Sequence, residues 1–91
     1  MKAIRVEQFG EPEVMQIADI DCPVPGDDQI LIQVEAIGVN PVDTYIRAGV
    51  YPVLPELPYT PGKDVAGTIA AVGKDVTDRQ VGDRVYSSGT L

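Results

Sequence analysis

The sequence predicts a mainly β domain that carries one short helix. Short runs of alternating or β-branched apolar residues recur along the 91 residues, and clusters of Gly, Pro and Asp separate them. Only one segment has signals for both a helix start and a helix end. Many short strands between turn signals are typical of a sandwich or a barrel. The length suffices for one small domain.

The amino-terminal part of the chain predicts a β-hairpin. Lys2 to Val6 has the residues of a short strand, and Val14 to Ile20 is a second β-type run. Phe9-Gly10-Glu11-Pro12, between them, has turn chemistry. The following Cys22-Pro23-Val24-Pro25-Gly26 lacks two backbone N–H groups, so it cannot form a regular ladder. It predicts an extended connector that ends in a turn at Gly26-Asp27-Asp28.

The clearest strand runs from Gln29 to Ile37. Gln33 and Glu35 alternate with apolar residues, which is the two-residue period of a half-buried antiparallel strand. The apolar face consists of Ile30, Ile32, Val34 and Ala36. Leu31 and Ile37 make the opposite face partly apolar, so we expect another part of the protein to cover it.

The segment from 38 to 51 predicts the single helix. Asn40 is a favourable N-cap residue, and Pro41 fits the first helical position because its missing N–H has no partner there. Asp43 places a negative charge near the positive helix start, and Arg47 places a positive charge near the negative end. Gly49 suits the left-handed residue that ends many helices.

The segment after the helix predicts a stiff loop, because Pro52, Pro55, Pro58 and Pro61 restrict their own φ and the preceding residues. A disordered linker is the alternative. We favour an ordered loop because the segment has apolar residues that can anchor it. They are Val53, Leu54, Leu57 and Tyr59.

Two more strands follow in the sequence. Asp64 to Val72 is a β-type run, and Gly67 within it indicates a bulge or the close approach of another backbone. Gly73-Lys74-Asp75 predicts a turn, and Val81 to Tyr86 predicts a turn that leads into a last strand.

Three spaced motifs identify a family. They are G-V-N-P-V-D-T-Y-I-R-A-G-V-Y at 38–51, L-P-Y-T-P-G-K-D-V-A-G-T-I-A-A-V-G at 57–73 and V-G-D-R-V at 81–85. With the opening M-K-A-I-R-V, they make the chain resemble the zeta-crystallin-like quinone oxidoreductases of the medium-chain dehydrogenase/reductase superfamily. The resemblance covers essentially all residues and implies a GroES-like partial barrel. It leads us to expect that 1–91 is the amino-terminal part of the GroES-like catalytic domain, truncated before the Rossmann domain.

The resemblance also bears on metal binding. In the zinc-dependent relatives, a Cys ligand stands at the position of Asn40, and Gly-His-Glu stands where this chain has Gly62-Lys63-Asp64. A catalytic zinc usually has three protein ligands. The chain has no His and only one Cys, Cys22, so we expect no zinc site. Lys63 and Asp64 are open to three interpretations: an ion pair, a cofactor contact or a solvated loop pair.

The family activity implied is zinc-independent hydride transfer from NADPH to a quinone or a similar carbonyl or enone acceptor. A carbonyl that gains hydride develops oxyanion character, and hydrogen-bond donors stabilise it. By resemblance, Asn40 and Tyr45 face the cofactor, Tyr51 contacts the substrate, and both tyrosines are catalytic candidates. Structural roles are the alternatives: Asn40 as a plain helix cap, Tyr45 as a core aromatic and Tyr51 as an anchor of the Pro-rich loop.

The composition of the chain argues against two classes of binding partner. The net charge of −7 argues against nucleic acid and against an anionic membrane surface, and no apolar run reaches the length of a membrane span. One cysteine allows no internal disulfide, which fits a cytoplasmic protein. We expect a homo-oligomer, because the domain edge that a Rossmann domain would cover is apolar.

No G-x-G-x-x-G fingerprint occurs in the chain, so we expect the isolated segment to be inactive. The alternative function is a stand-alone binding or assembly module with a co-chaperonin-like fold, since fold does not fix function.

Overall fold

The computed structural model describes residues 1–89 and divides the chain into two compact units. Unit 1 consists of Met1–Asp21 and Val39–Gly62, and unit 2 consists of Cys22–Gly38 and Lys63–Leu91, of which 90 and 91 lie outside the described residues. The elements are β1 (Lys2–Val6), a 3₁₀ turn (Pro12–Val14), β2 (Met15–Asp19), β3 (Ile30–Gly38), α1 (Pro41–Ala48), β4 (Asp64–Val72) and β5 (Arg84–Ser87). The predicted mainly β fold with one short helix is confirmed for this part of the chain.

Unit 1 contains the predicted hairpin and the helix. β1 and β2 pair antiparallel, with Lys2 opposite Asp19 and Val6 opposite Met15. The 3₁₀ turn between them was not predicted, because Pro12 was assigned to the turn alone. Val6 is fully buried and Ile46 of α1 is 6% exposed, so these two side chains form the core of the unit.

The Pro-rich loop is attached to β1 through its backbone. Val6 and Tyr59 form an isolated antiparallel bridge, in which each N–H donates to the other's carbonyl, at 2.9 and 3.0 Å. Of the predicted apolar anchors, Tyr59 is half-buried, whereas Val53 is 76% exposed. The ordered loop is therefore attached to β1 mainly through Tyr59, near the end of the loop.

Unit 2 is an antiparallel sheet with the strand order β3-β4-β5. Val65, Gly67 and Ile69 alternate as the buried residues of β4, and Ile69 is only 2% exposed. A Cβ atom at Gly67 would lie 2.0 Å from the carbonyl oxygen of Gln33. The close backbone approach predicted at Gly67 is thus confirmed.

The predicted apolar face of β3 is only partly buried. Ile30 and Ile32 are half-buried, but Val34 is 50% exposed and Ala36 is exposed as well. The register with β4 shifts between Leu31 and Ile32 and again between Val34 and Ala36. Each irregularity adds an unpaired residue and breaks the simple two-residue alternation. The predicted strand is therefore confirmed as β3, but its apolar face is half-buried only at Ile30 and Ile32.

Within the described residues, no helix is long and apolar enough to cross a membrane.

Candidate functional site

The start of α1 is fixed by its own first turn. Asn40 is the N-cap with extended backbone, and Pro41 is the first helical residue, as predicted. The backbone N–H of Asn40 donates to the Asp43 carboxylate at 2.8 Å, which is one half of a capping box. The N–H of Asp43 donates to the backbone carbonyl of Asn40 at 2.9 Å. The clearest capping contact therefore comes from the Asp43 side chain, and the cap role of Asn40 is confirmed.

The end of α1 turns the chain sharply toward Tyr51. Gly49 has φ of 80°, the left-handed conformation that favours glycine. Its N–H donates to the Ile46 carbonyl at 3.0 Å, and the N–H of Val50 donates to the Tyr45 carbonyl at 3.0 Å. These bonds satisfy carbonyls of the last helical turn, so the position of Tyr51 depends on how the helix ends.

Both candidate tyrosines present their rings to solvent. Tyr45 is 51% exposed and Tyr51 is 37% exposed. No hydrogen bond, ion pair or ring contact within residues 1–89 involves either side chain. The interpretation of Tyr45 as a core aromatic is wrong, because Ile46 is the helical residue that points into the core. The two hydroxyls are thus available to a ligand.

Arg47 joins the end of α1 to the turn that follows β1. Its Nε–H donates to the carbonyl of Gly10 at 3.2 Å, and the N–H of Gly10 donates to the carbonyl of Arg47 at 2.9 Å. A Cβ atom at Gly49 would lie 3.0 Å from the Cβ of Phe9. The turn at Phe9 and Gly10 therefore contacts the last turn of the helix, both by hydrogen bonds and by packing.

Tyr59 lies in the same unit. Its ring centroid is 6.3 Å from that of Phe9, and its hydroxyl is buried without a hydrogen-bond partner in the described part of the chain. Burial raises the pKa of Tyr59; the positive charge of Arg47 opposes the rise and the negative charge of Asp43 adds to it. A buried, unpartnered hydroxyl costs stability, so this one contributes little to holding the loop.

The remaining candidates lie in unit 2. Cys22 is an exposed free thiol, as expected for a connector residue. Asp64 is the first residue of β4, and a Cβ at Gly38 would lie 2.9 Å from the Cβ of Asp64. Among residues 1–89, no three His, Cys, Asp or Glu side chains cluster as metal ligands would.

An open groove of about 410 Å³ lies at one edge of the sheet in unit 2. It is lined by ends of β3, β4 and β5, including Ile37, Asp64 and Tyr86. None of the predicted site residues lines it. The polar groups that line the groove come from Asp64, Tyr86 and two serines, and the rest of its lining is apolar.

Sequence reasoning singled out Tyr45 and Tyr51 but did not find the hydrogen bonds that join the end of their helix to Gly10. Arg47 was interpreted only as a cation near the helix end, whereas its guanidinium and its carbonyl both bind Gly10. The sequence around Gly10 predicts only a turn. The two residues are 37 positions apart, and a local sequence pattern cannot predict a hydrogen bond over that separation.

The arrangement can donate hydrogen bonds from two phenol groups at the side and the end of one short helix. Nearby, Asn40 adds an amide at the helix start. Such donors stabilise negative charge that develops on an oxygen, as in reduction of a carbonyl.

Comparison with known proteins identifies relatives over the whole chain. The family model described as "Alcohol dehydrogenase GroES-like domain" matches residues 26–90. A curated quinone oxidoreductase from Sus scrofa is 56% identical over 92 aligned positions, which cover 100% of this chain and 28% of that protein. The chain therefore spans about 28% of the length of this curated relative.

Solved structures give the same result. The quinone oxidoreductase of Escherichia coli, determined in complex with NADPH, superposes with a TM-score of 0.93 at 36% identity and covers 100% of this chain and 28% of its own. A mycobacterial quinone oxidoreductase superposes with a TM-score of 0.90 at 47% identity and covers 98% of this chain and 28% of its own.

Proposed function

Because the chain belongs to the family of alcohol dehydrogenase GroES-like domains, we propose that it forms the acceptor-binding part of a quinone oxidoreductase that uses NADPH. The similarity to quinone oxidoreductases, one of them solved with NADPH, supports this proposal. The observation that carries it is the pair of exposed tyrosine hydroxyls, Tyr45 and Tyr51, which have no partner in residues 1–89.

The residues have distinct proposed roles. Tyr45 and Tyr51 donate hydrogen bonds to the acceptor oxygen, and Tyr51 also forms a wall beside the acceptor. Asn40 and Tyr45 contact the nicotinamide end of the cofactor. NADPH, when bound, supplies the hydride. The hydroxyls then stabilise the oxyanion character that develops on the acceptor, and the completing proton comes from a tyrosine hydroxyl or from solvent.

The donor set fits this role and does not fit zinc. Two phenols and an amide can orient a carbonyl, but the chain has no His and a single exposed Cys in the other unit. We therefore propose hydride transfer in which this chain supplies no metal ligands.

The proposal extends to the organisation of the protein. Residues 1–91 contain no glycine fingerprint for a dinucleotide, so a nucleotide-binding domain outside them would hold most of NADPH. The chain would act as the amino-terminal part of the catalytic domain. We also propose a cytoplasmic homo-oligomer that does not bind nucleic acid, in keeping with the acidic charge and the single cysteine.

Steady-state kinetics test the activity. The complete natural protein that carries this sequence is assayed for NADPH oxidation with a series of quinones, enones and alcohols. We expect quinone-dependent oxidation that survives treatment with a chelator. Activity with alcohols only, or activity that is lost with the chelator and restored by zinc, would contradict the proposal.

A further inference from the structure

We propose that Arg47 is a positioning residue for this site: by holding Gly10, it fixes the rotation of α1 and so the direction of Tyr45 and Tyr51. The inference rests on the proposed function for its kinetic consequence. Its structural basis is the hydrogen bond from Arg47 Nε to the Gly10 carbonyl at 3.2 Å, which lies beside the backbone bond from the Gly10 N–H to the Arg47 carbonyl at 2.9 Å.

The first step concerns rotation of the helix about its own axis. α1 has eight residues, and Ile46 is its one buried side chain. Aliphatic contacts have no preferred direction, so Ile46 and the half-buried Val42, one turn earlier, restrain the roll of a short helix only weakly. Successive helical residues differ by about 100° in direction. Tyr45 and Arg47 therefore lie on opposite flanks of Ile46, and a bond at Arg47 determines where Tyr45 points.

The second step concerns the end of the helix. The last carbonyls of a helix have no partner within it. In α1, residues beyond the helix end satisfy the carbonyls of Tyr45 and Ile46, but the carbonyl of Arg47 binds Gly10. Gly10, which lies outside the helix, therefore helps to fix the turn that leads to Tyr51. The contact of Phe9 with Gly49 reinforces it.

The third step concerns what Arg47 does not do. Within the described residues, no carboxylate lies within the 4.0 Å of an ion pair with Arg47; Arg84 shares this feature, whereas Lys2, Arg5, Lys74 and Arg79 each have such a neighbour. The side chain is partly buried, and its bond is to a neutral carbonyl. These features favour a role in which the hydrogen bond from Nε orients the helix. In the alternative role, the positive charge of Arg47 stabilises the negative end of the helix and the bond is incidental.

Three substitutions separate the two roles. Arg47→Gln keeps an N–H donor at the position of Nε and removes the charge. Arg47→Lys keeps the charge and places a methylene at the position of Nε. Arg47→Ala removes both. Ile69→Val, in the core of unit 2, is the control for a general loss of stability, because it leaves the helix and the turn unchanged.

The first measurement is steady-state kinetics of the complete natural protein with quinone and NADPH. We expect Arg47→Lys and Arg47→Ala to raise KM for the quinone about fivefold, the factor that corresponds to one hydrogen bond. Arg47→Gln should restore KM to near the wild-type value, and Ile69→Val should leave it unchanged. Wild-type kinetics for Arg47→Lys together with impaired kinetics for Arg47→Gln would overturn the inference in favour of the charge.

The second measurement does not depend on activity. The complete protein is labelled with fluorotyrosine, and the ¹⁹F resonances of the four tyrosines within residues 1–91 are assigned with Tyr→Phe variants. We expect the resonances of Tyr45 and Tyr51 to shift in Arg47→Lys and to remain in place in Arg47→Gln and Ile69→Val. Unchanged resonances in Arg47→Lys would overturn the inference. If the wild-type protein reduces no quinone, the proposed function fails, and the resonances alone decide the role of Arg47.

Discussion

At the scale of single residues, the two candidate tyrosines differ from the other tyrosine of unit 1 in their surroundings. Tyr45 and Tyr51 are exposed and have no partner within the described part of the chain. Tyr59 is held by two backbone bonds, while its hydroxyl is buried and unpartnered. The first two hydroxyls can therefore serve a ligand, whereas that of Tyr59 has no evident function.

Substitution of Tyr45 and substitution of Tyr51 should change different kinetic constants. We expect Tyr45→Phe in the complete protein to lower kcat/KM by about fivefold, because one hydrogen bond worth about 1 kcal/mol is lost. Tyr51→Ala should mainly raise KM and broaden the range of quinones, since it opens the wall of the site. Tyr86→Phe, at an exposed ring in unit 2, is the control. Complete loss of turnover in Tyr45→Phe would make Tyr45 an obligatory acid and contradict a role in positioning alone.

Tyr59→Phe should not destabilise the protein, because it removes a buried hydroxyl that has no partner. It should also change the response to alkaline pH. Since the folded pKa of Tyr59 lies above the ordinary value of 10.0, the unfolded chain loses that proton first, and stability falls as pH rises from about 10 through the folded pKa. Phe has no such proton, so the decline of Tm above pH 10 should be shallower.

Thermal melts between neutral and strongly alkaline pH measure this difference. Tyr86→Phe should follow the wild-type curve, because its ring is 88% exposed. A Tyr59→Phe variant that melts several degrees lower at neutral pH would show that the hydroxyl has a stabilising partner after all.

At the scale of secondary-structure elements, the sequence predicted what depends on neighbouring residues. Asn40, Pro41 and Gly49 mark the ends of α1 because capping is local chemistry. The burial of β3 was not predictable, because the bulges that interrupt its alternation are set by the pairing with β4. The bond between Arg47 and Gly10 was missed for the same reason: it depends on where a distant segment folds.

Gly67 gives a sharp test of the pairing between β3 and β4. A Cβ there would lie 2.0 Å from the Gln33 carbonyl oxygen, which is backbone and cannot turn aside. We expect Gly67→Ala to cost more than about 3 kcal/mol, or to prevent folding. Gly89→Ala is the matched control, because nothing lies within 4 Å of its Cβ position. Denaturant unfolding measures the stability of both variants. Equal unfolding midpoints for Gly67→Ala and Gly89→Ala would show that β3 and β4 can move apart at position 67 without loss of stability.

At the scale of the whole molecule, each unit has a small core. Val6 and Ile46 are the buried apolar residues of unit 1, and Val65 and Ile69 those of unit 2, within the described part of the chain. Many large apolar side chains remain exposed, among them Ile37, Val39 and Tyr86. Small domains bury a modest fraction of their surface, so we expect further burial against other protein surfaces.

The purified 91-residue chain should not oxidise NADPH in the presence of quinone. It contains no dinucleotide fingerprint, and its proposed donors act on an acceptor that the cofactor must approach. Absorbance assays measure the rate, with the complete natural protein at equal concentration as the positive control. Turnover by the short chain above that of a Tyr45→Phe, Tyr51→Ala double variant would contradict this expectation.

The bridge between Val6 and Tyr59 has a consequence for biosynthesis. On the ribosome, Tyr59 is added about 50 residues after Val6, which at about 5–20 residues per second is a delay of roughly 3 to 10 s. Until Tyr59 has been added and has emerged, β1 lacks the bridge, and once Val6 is outside the ribosome its edge N–H and C=O have no partner from the loop. The helix that carries Tyr45 is synthesised before the bridge can close. The bridge can therefore close only after the Pro-rich loop has been made, and slow translation across residues 52–61 would prolong the period in which the edge of β1 is unpaired.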